Sequence, residues 1–298
     1  MRLIHACAAL ALVSSTVALA QSGKPPELMA AERADAAAPP PTATIRYGSD
    51  ALQTGELRLP KGEGPFPVAI VIHGGCWVAQ MGGTGMQALS EALRQRGIAT
   101  WDINYRRIGH AGGGWPGTFQ DVAAGVDELP ALARTYPLDL SRVTAIGHSA
   151  GALFSLWTAS RAKLDAPWRT AAKAPKLRSV FAIDGPGTLA PMVGVDRDVC
   201  GIPVIVPLMG GTPAERPAEY RIASPADHLP LGVPQYLVLA ALGPLMQPYV
   251  AQAKAGGDPV KTLRPAGANH FDIVTPSTPN GAKVVDWIVA NAFATPAK

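Results

Sequence analysis

The chain has 298 residues, 48% of them hydrophobic and 16% charged, with a formal net charge of +4. That is enough apolar material for a full core, and the low charge content excludes a largely disordered chain. The small basic excess is scattered, which argues against a nucleic-acid-binding protein. No repeat, phosphate loop or His/Cys spacing of a metal site is visible.

In chain order, Arg2 precedes an apolar stretch over 6–18 that is short for a bilayer span, and Ala18-Leu19-Ala20 has the small-x-small pattern of a cleavage site. Residues 1–20 therefore read as a signal peptide, which makes the chain periplasmic or secreted, with no stable membrane insertion once the leader is removed. Residues 21–41, with Pro25, Pro26 and Pro39 to Pro41 among alanines and charges, read as a disordered tether. Residues 42–298 read as one domain. Loss of Cys7 with the leader leaves Cys76 and Cys200, and in an oxidising compartment this even pair points either to a disulfide or to two unlinked thiols.

Residues 44–59 carry the alternation of an antiparallel hairpin. Apolar runs at 68–73, 98–105, 143–147, 179–184, 235–241 and 260–264 then alternate with helical stretches at 86–96, 118–135, 150–162, 247–255 and 281–291. This α/β order predicts a mostly parallel central sheet with helices on both faces. The sixth strand is followed by a long Pro- and Gly-rich connection, 185–234. Its Met192, Val193, Ile202, Val204, Ile205 and Met209 suit a loop-rich cap over an apolar site.

Two motifs carry chemistry. Gly147-His148-Ser149-Ala150-Gly151 lies between a strand and a helix, the setting in which a sharp turn lifts a serine nucleophile out of the sheet. His73-Gly74-Gly75-Cys76-Trp77 follows the buried run Pro67 to Ile72. Such a loop can aim the N–H groups of Gly75 and Cys76 at a developing oxyanion, with a third donor from Ala150 after the nucleophile.

With these motifs, and with Asn104-Tyr105-Arg106-Arg107, Trp115-Pro116, Asp139 to Val143 and Gly267 to Phe271, the chain resembles the α/β-hydrolase superfamily over 42–293. The resemblance is to its serine esterases and amidases with an H-G-G-x-W loop: the kynurenine formamidase-like, feruloyl-esterase-like and hormone-sensitive-lipase-like enzymes. It implies a Ser, acid, His order, and His270, between the last strand and the last helix, stands where this fold delivers its general base. His73 and His148 belong to the glycine motifs, and His110 and His228 fall in other connections.

The acid departs from the family pattern. Relatives place an aspartate after the seventh strand, where this chain has Gly243. Asp184, at the end of the sixth strand, is the preferred replacement, because some lipases of the fold use that position; Asp272 and Asp227 are the other carboxylates considered. The expected activity is cleavage of a small-molecule carboxylic ester through an acyl-enzyme, with no metal or organic cofactor. The alternatives are an amide or formamide hydrolase with the same residues, or a catalytically degenerate binding protein. Oligomeric state is not legible.

Overall fold

The computed structural model describes residues 24–83, 86–169 and 176–293. The expected signal peptide lies outside them. The strands are β1 (Ala43–Arg46), β2 (Thr54–Arg58), β3 (Phe66–Ile72), β4 (Ala99–Ile103), β5 (Leu138–His148), β6 (Leu177–Ile183), β7 (Gln235–Val238) and β8 (Val260–Leu263). They form one sheet in the order β1-β2-β4-β3-β5-β6-β7-β8. The β1–β2 hairpin is antiparallel and joins the sheet edge through an antiparallel β2–β4 pair. All later pairings are parallel, as the alternating pattern predicts.

Helices follow as α1 (Pro26–Ala36), α2 (Gln87–Gln95), α3 (Gly117–Asp127), α4 (Leu129–Leu132), α5 (Ala150–Ser160), α6 (Asp196–Cys200), α7 (Ile205–Met209), α8 (Pro217–Ala223), α9 (Gly243–Ala255) and α10 (Pro279–Ile288). Strand β3 is apolar without alternation because both its faces are covered. Val68, Ile70 and Ile72 pack with Phe119, Phe154 and Trp157 of α3 and α5. Ala69 and Val71 point the other way, toward Leu89 and Leu93 of α2 and Val284 and Ile288 of α10. Each fully buried Val or Ile contributes about 1.5–3 kcal/mol relative to exposure. This two-sided core fixes the strand ends where the site is built.

Three local expectations change. The segment expected as a disordered tether contains α1. Its Glu, Leu, Met and Ala residues are strong helix formers, Pro26 sits in the first turn where it removes no helical bond, and Ala31 is buried. Asp35 ties the helix down by accepting the N–H of Ala88 at 2.9 Å, in the first turn of α2. The single helix expected over 118–135 is divided into α3 and α4, with Pro130 in the first turn of α4. The cap after β6 is partly helical, since α6, α7 and α8 all lie within it. Among the described residues no helix is long and apolar enough to cross a membrane.

Candidate active site

Strand β5 ends at His148, and the next residue turns sharply. Ser149 has φ 56° and ψ −123°, a sparsely allowed positive-φ conformation that a non-glycine residue adopts only under constraint. Its flanking glycines keep negative φ and serve close packing instead. A Cβ on Gly147 would fall 1.9 Å from the Gly151 carbonyl oxygen, and one on Gly151 would fall 2.1 Å from that of Ile72. The strain is thus concentrated on Ser149 itself, at the start of α5.

The loop after β3 runs through three consecutive positive φ values, 99° at Gly75, 49° at Cys76 and 58° at Trp77. Among the described residues neither the Gly75 nor the Cys76 N–H has a hydrogen-bond acceptor. The Ala150 N–H is the first of α5, one of the groups a helix leaves unpaired. The sulfurs of Cys76 and Cys200 form a disulfide that joins this loop to the end of α6. Of the two readings open from sequence, the bonded one is found.

His73 braces the loop. Its ring stacks on Tyr105 at 4.2 Å, its Nδ1–H donates to the Gly74 carbonyl at 2.7 Å, and the Tyr105 hydroxyl donates to the His73 carbonyl at 2.8 Å. Nε2 is then an acceptor, and Arg107 Nη1 donates to it at 3.2 Å. Burial holds the imidazole neutral, with its pKa lowered from 6.5 to about 4.

His270 lies between β8 and α10, and its Nδ1 is 2.8 Å from Asp184 Oδ2. Asp184 directly follows β6 with φ 45° and is fully buried. Its carboxylate also accepts the N–H of Ala240 at 2.8 Å and that of Leu242 at 3.0 and 3.1 Å. Both donors belong to the turn after β7 that leads to Gly243. That turn supplies donors to the neighbouring strand's acid.

Asp272 points elsewhere. It accepts the Asn269 N–H at 3.0 Å and the Asn280 side-chain amide at 2.8 Å, which shapes the turn that carries His270. Asp227 has no hydrogen bond to His270 and sits in the turn Pro225–His228. His110 accepts the Arg107 N–H, and His228 donates to the Arg221 carbonyl, so neither joins the site.

Ser149 borders two cavities. The larger, about 410 Å³, is shared with His148, His270, Gly75 and residues of α1. The smaller, about 30 Å³, is lined by Trp77, Ala150 and the cap residues Met192, Val199, Val204 and Ile205. The cap thus reaches the site as expected, although Val193 and Ile202 face solvent and Met209 is buried in the main core.

A family model named BD-FAE matches residues 56–241, more than half of the chain. The chain belongs to the BD-FAE family. No curated protein matches its sequence. Among solved structures, a bifunctional GH43-CE protein of Bacteroides eggerthii is 20% identical with a TM-score of 0.65, over 83% of this chain and 37% of that one. Esterase B from Lactobacillus rhamnosis, inhibited by a tributyrin phosphonate, is 19% identical with a TM-score of 0.69, over 88% and 89% of the two chains. The thermophilic esterase Est2 of Thermogutta terrifontis, bound to butyrate, is 15% identical with a TM-score of 0.65, over 86% and 96%. At these identities the likeness establishes the fold, and the resemblance to the α/β-hydrolases is borne out.

Sequence reasoning missed two contributors to the site of this BD-FAE chain. One is α1, a helix masked by the prolines at its start and those that follow it, Pro25, Pro26 and Pro39 to Pro41. The other is His148, whose Nε2–H donates to the His270 carbonyl at 2.8 Å while its ring packs on that of His270 at 4.5 Å. Burial, and then the nearby His270, push the His148 pKa well below 6.5, so it stays a neutral donor. Its place in the elbow was visible; its reach across to the β8–α10 loop was not.

Proposed function

We propose that this chain is an exported serine hydrolase that cleaves a small carboxylic ester through an acyl-enzyme, with Ser149 as nucleophile, His270 as general base and Asp184 as the triad acid. The observation that carries the reading is the 2.8 Å contact between His270 Nδ1 and Asp184 Oδ2, beside a serine held at φ 56° in the strand-to-helix turn. With Nδ1–H donating to the carboxylate, Nε2 is left as the proton acceptor. Ser149 Oγ attacks the carbonyl carbon and its proton passes to Nε2. The tetrahedral oxyanion is held by the N–H groups of Gly75, Cys76 and Ala150. Collapse breaks the bond to the alcohol oxygen, which takes the proton from Nε2. Water then attacks the acyl-enzyme, His270 accepts its proton and returns it to Oγ, and the carboxylic acid leaves.

Membership of the BD-FAE family and the fold shared with esterase B and Est2 support ester hydrolysis as the reaction. The buried Asp184 favours catalysis over a degenerate binding role, since it supplies the carboxylate that Gly243 lacks. Export is supported by the leader pattern in 1–20 and by the disulfide, which suits an oxidising compartment. A fluorophosphonate should form an adduct on Ser149, located by mass spectrometry, and Ser149→Ala should lose both adduct and turnover while remaining folded. A Ser149→Ala protein with near wild-type turnover refutes the assignment.

A further inference from the structure

Resting on that reading, we infer that the substrate joins an acetyl or propionyl group to an apolar alcohol, and that α1 forms the wall selecting the alcohol. The two cavities meeting at Ser149 differ in their neighbours as well as in size. His270 borders the larger and not the smaller. The imidazole that takes the serine proton must return it to the leaving oxygen, so the alcohol lies on its side, in the larger space. The acyl chain then occupies the smaller one.

That acyl space is about 30 Å³, against about 410 Å³ on the other side of Ser149. The smaller side favours a short acyl chain over a long one. Its walls are held firmly. The Cys76–Cys200 disulfide borders it and is covalent. Asp196, on the same short helix as Cys200, accepts the N–H groups of Gly194 and Arg197, each at 3.0 Å, of Val204 at 2.7 Å and of Ile205 at 2.8 Å, which pins the cap segment that carries Ile205.

The alcohol side is mostly apolar, with Pro25, Leu28 and Ala31 of the α1 segment facing Met81, Val199 and Phe271. The charges there, Lys24 and Glu32, lie at the rim and pair with each other at 2.5 Å. The other polar groups lining the cleft are Gln80, which is exposed, His148 with Nε2 already bonded, and the catalytic pair. The hydroxyls of a sugar would leave water without matching partners, whereas an aryl or alkyl alcohol would lose nothing.

The test uses the full exported protein with 2-phenylethyl acetate, 2-phenylethyl octanoate and acetylated xylobiose, esters of similarly unactivated alcohols, after confirming the phosphonate adduct on Ser149. The expected kcat/KM for 2-phenylethyl acetate exceeds that for the octanoate by about a hundredfold and that for the acetylated sugar by about tenfold or more. Met192→Ala and, independently, Ile205→Ala should each narrow the acetate-to-octanoate ratio. Leu28→Asp should narrow the phenylethyl-to-sugar ratio, mainly through KM. An adduct on Ser149 together with octanoate preference, or with equal cleavage of the acetylated sugar, overturns this inference and leaves the hydrolase reading standing. Absence of the adduct and of all turnover overturns that reading itself.

Discussion

Replacing Asp184 by asparagine separates a catalytic carboxylate from a structural one. The carboxylate accepts from two backbone N–H groups, Ala240 and Leu242, on one side and from His270 Nδ1 on the other. An asparagine has one acceptor oxygen, and its orientation follows from counting partners. Turned so that the oxygen faces Ala240 and Leu242, it keeps both backbone bonds and presents its NH₂ to His270; turned the other way, it opposes NH₂ to two N–H donors. The first orientation wins, because an unsatisfied buried donor costs about 1–3 kcal/mol. The NH₂ then donates to Nδ1, which moves the imidazole proton to Nε2, where it blocks acceptance of the serine proton. The expected loss is up to about 10⁴ in kcat, or about 5 kcal/mol of barrier, with little change in stability. Steady-state kcat on 2-phenylethyl acetate, alongside thermal melts of both proteins, reads the two effects separately. Unchanged turnover in a folded Asp184→Asn protein would refute Asp184 as the triad acid.

Three further perturbations address the supports of the site. Cys200→Ser removes a cross-link spanning 124 residues and should cost about 2–4 kcal/mol in urea melts; two alkylatable thiols in protein isolated without reductant would contradict it. His73 has a folded pKa lowered from 6.5 to about 4, so between those values the unfolded chain binds the extra proton and stability is lost as pH falls through this window. The loss should reach about 3 kcal/mol, and His73→Gln should show a correspondingly flatter change in urea midpoint from pH 7 to pH 4.5; parallel curves would exclude the assignment. His148→Phe keeps a ring against His270 and deletes the donor to its carbonyl, so kcat should fall by roughly fivefold with KM unchanged, and a kcat equal to wild type would show that the loop is held by other contacts.

Most of the sheet was legible because its determinants are local. The unbroken run Val68 to Ile72 is short, rich in β-branched residues and followed by Gly74 and Gly75, which together mark a strand covered on both faces, and each βα unit carries its own periodicity. The places of Ser149 and His270 in the fold were legible for a related reason, since each is tied to the boundary of an element. Helix α1 was not, because proline and alanine content describes a tether and a short helix equally well. What decides between them is docking: Ala31 buried and Asp35 bonded to Ala88, more than fifty positions away in sequence. The cap was seen as a connection but not as helices, because α6 and α7 are each only five residues long. Segments of that length carry too little periodicity to be recognised, and these are fixed by the side chain of Asp196 and by the disulfide.

On the proposed assignment of Asp184, the displacement of the acid follows from the sheet order. Strands β6 and β7 are parallel neighbours, with Ile183 paired to Val238, so the residue after one and the turn after the other emerge side by side at the same edge. A carboxylate launched from either place can address an imidazole hanging over that edge from the β8–α10 loop. The choice between them is therefore settled by local stereochemistry. Asp184 reaches its position at φ 45°, a conformation that aspartate tolerates better than most residues, and the vacated turn repays the strain with two N–H donors. A carboxylate restored at Gly243 would meet a different environment. The Cβ it requires would lie 3.9 Å from Arg264 Nη1, close enough for the new side chain to pair with that guanidinium. Gly243→Asp in the Asp184→Asn background should thus form a salt bridge in preference to orienting His270, and turnover should stay near that of the single variant. Recovery to wild-type kcat would show that the two positions remain interchangeable in this chain.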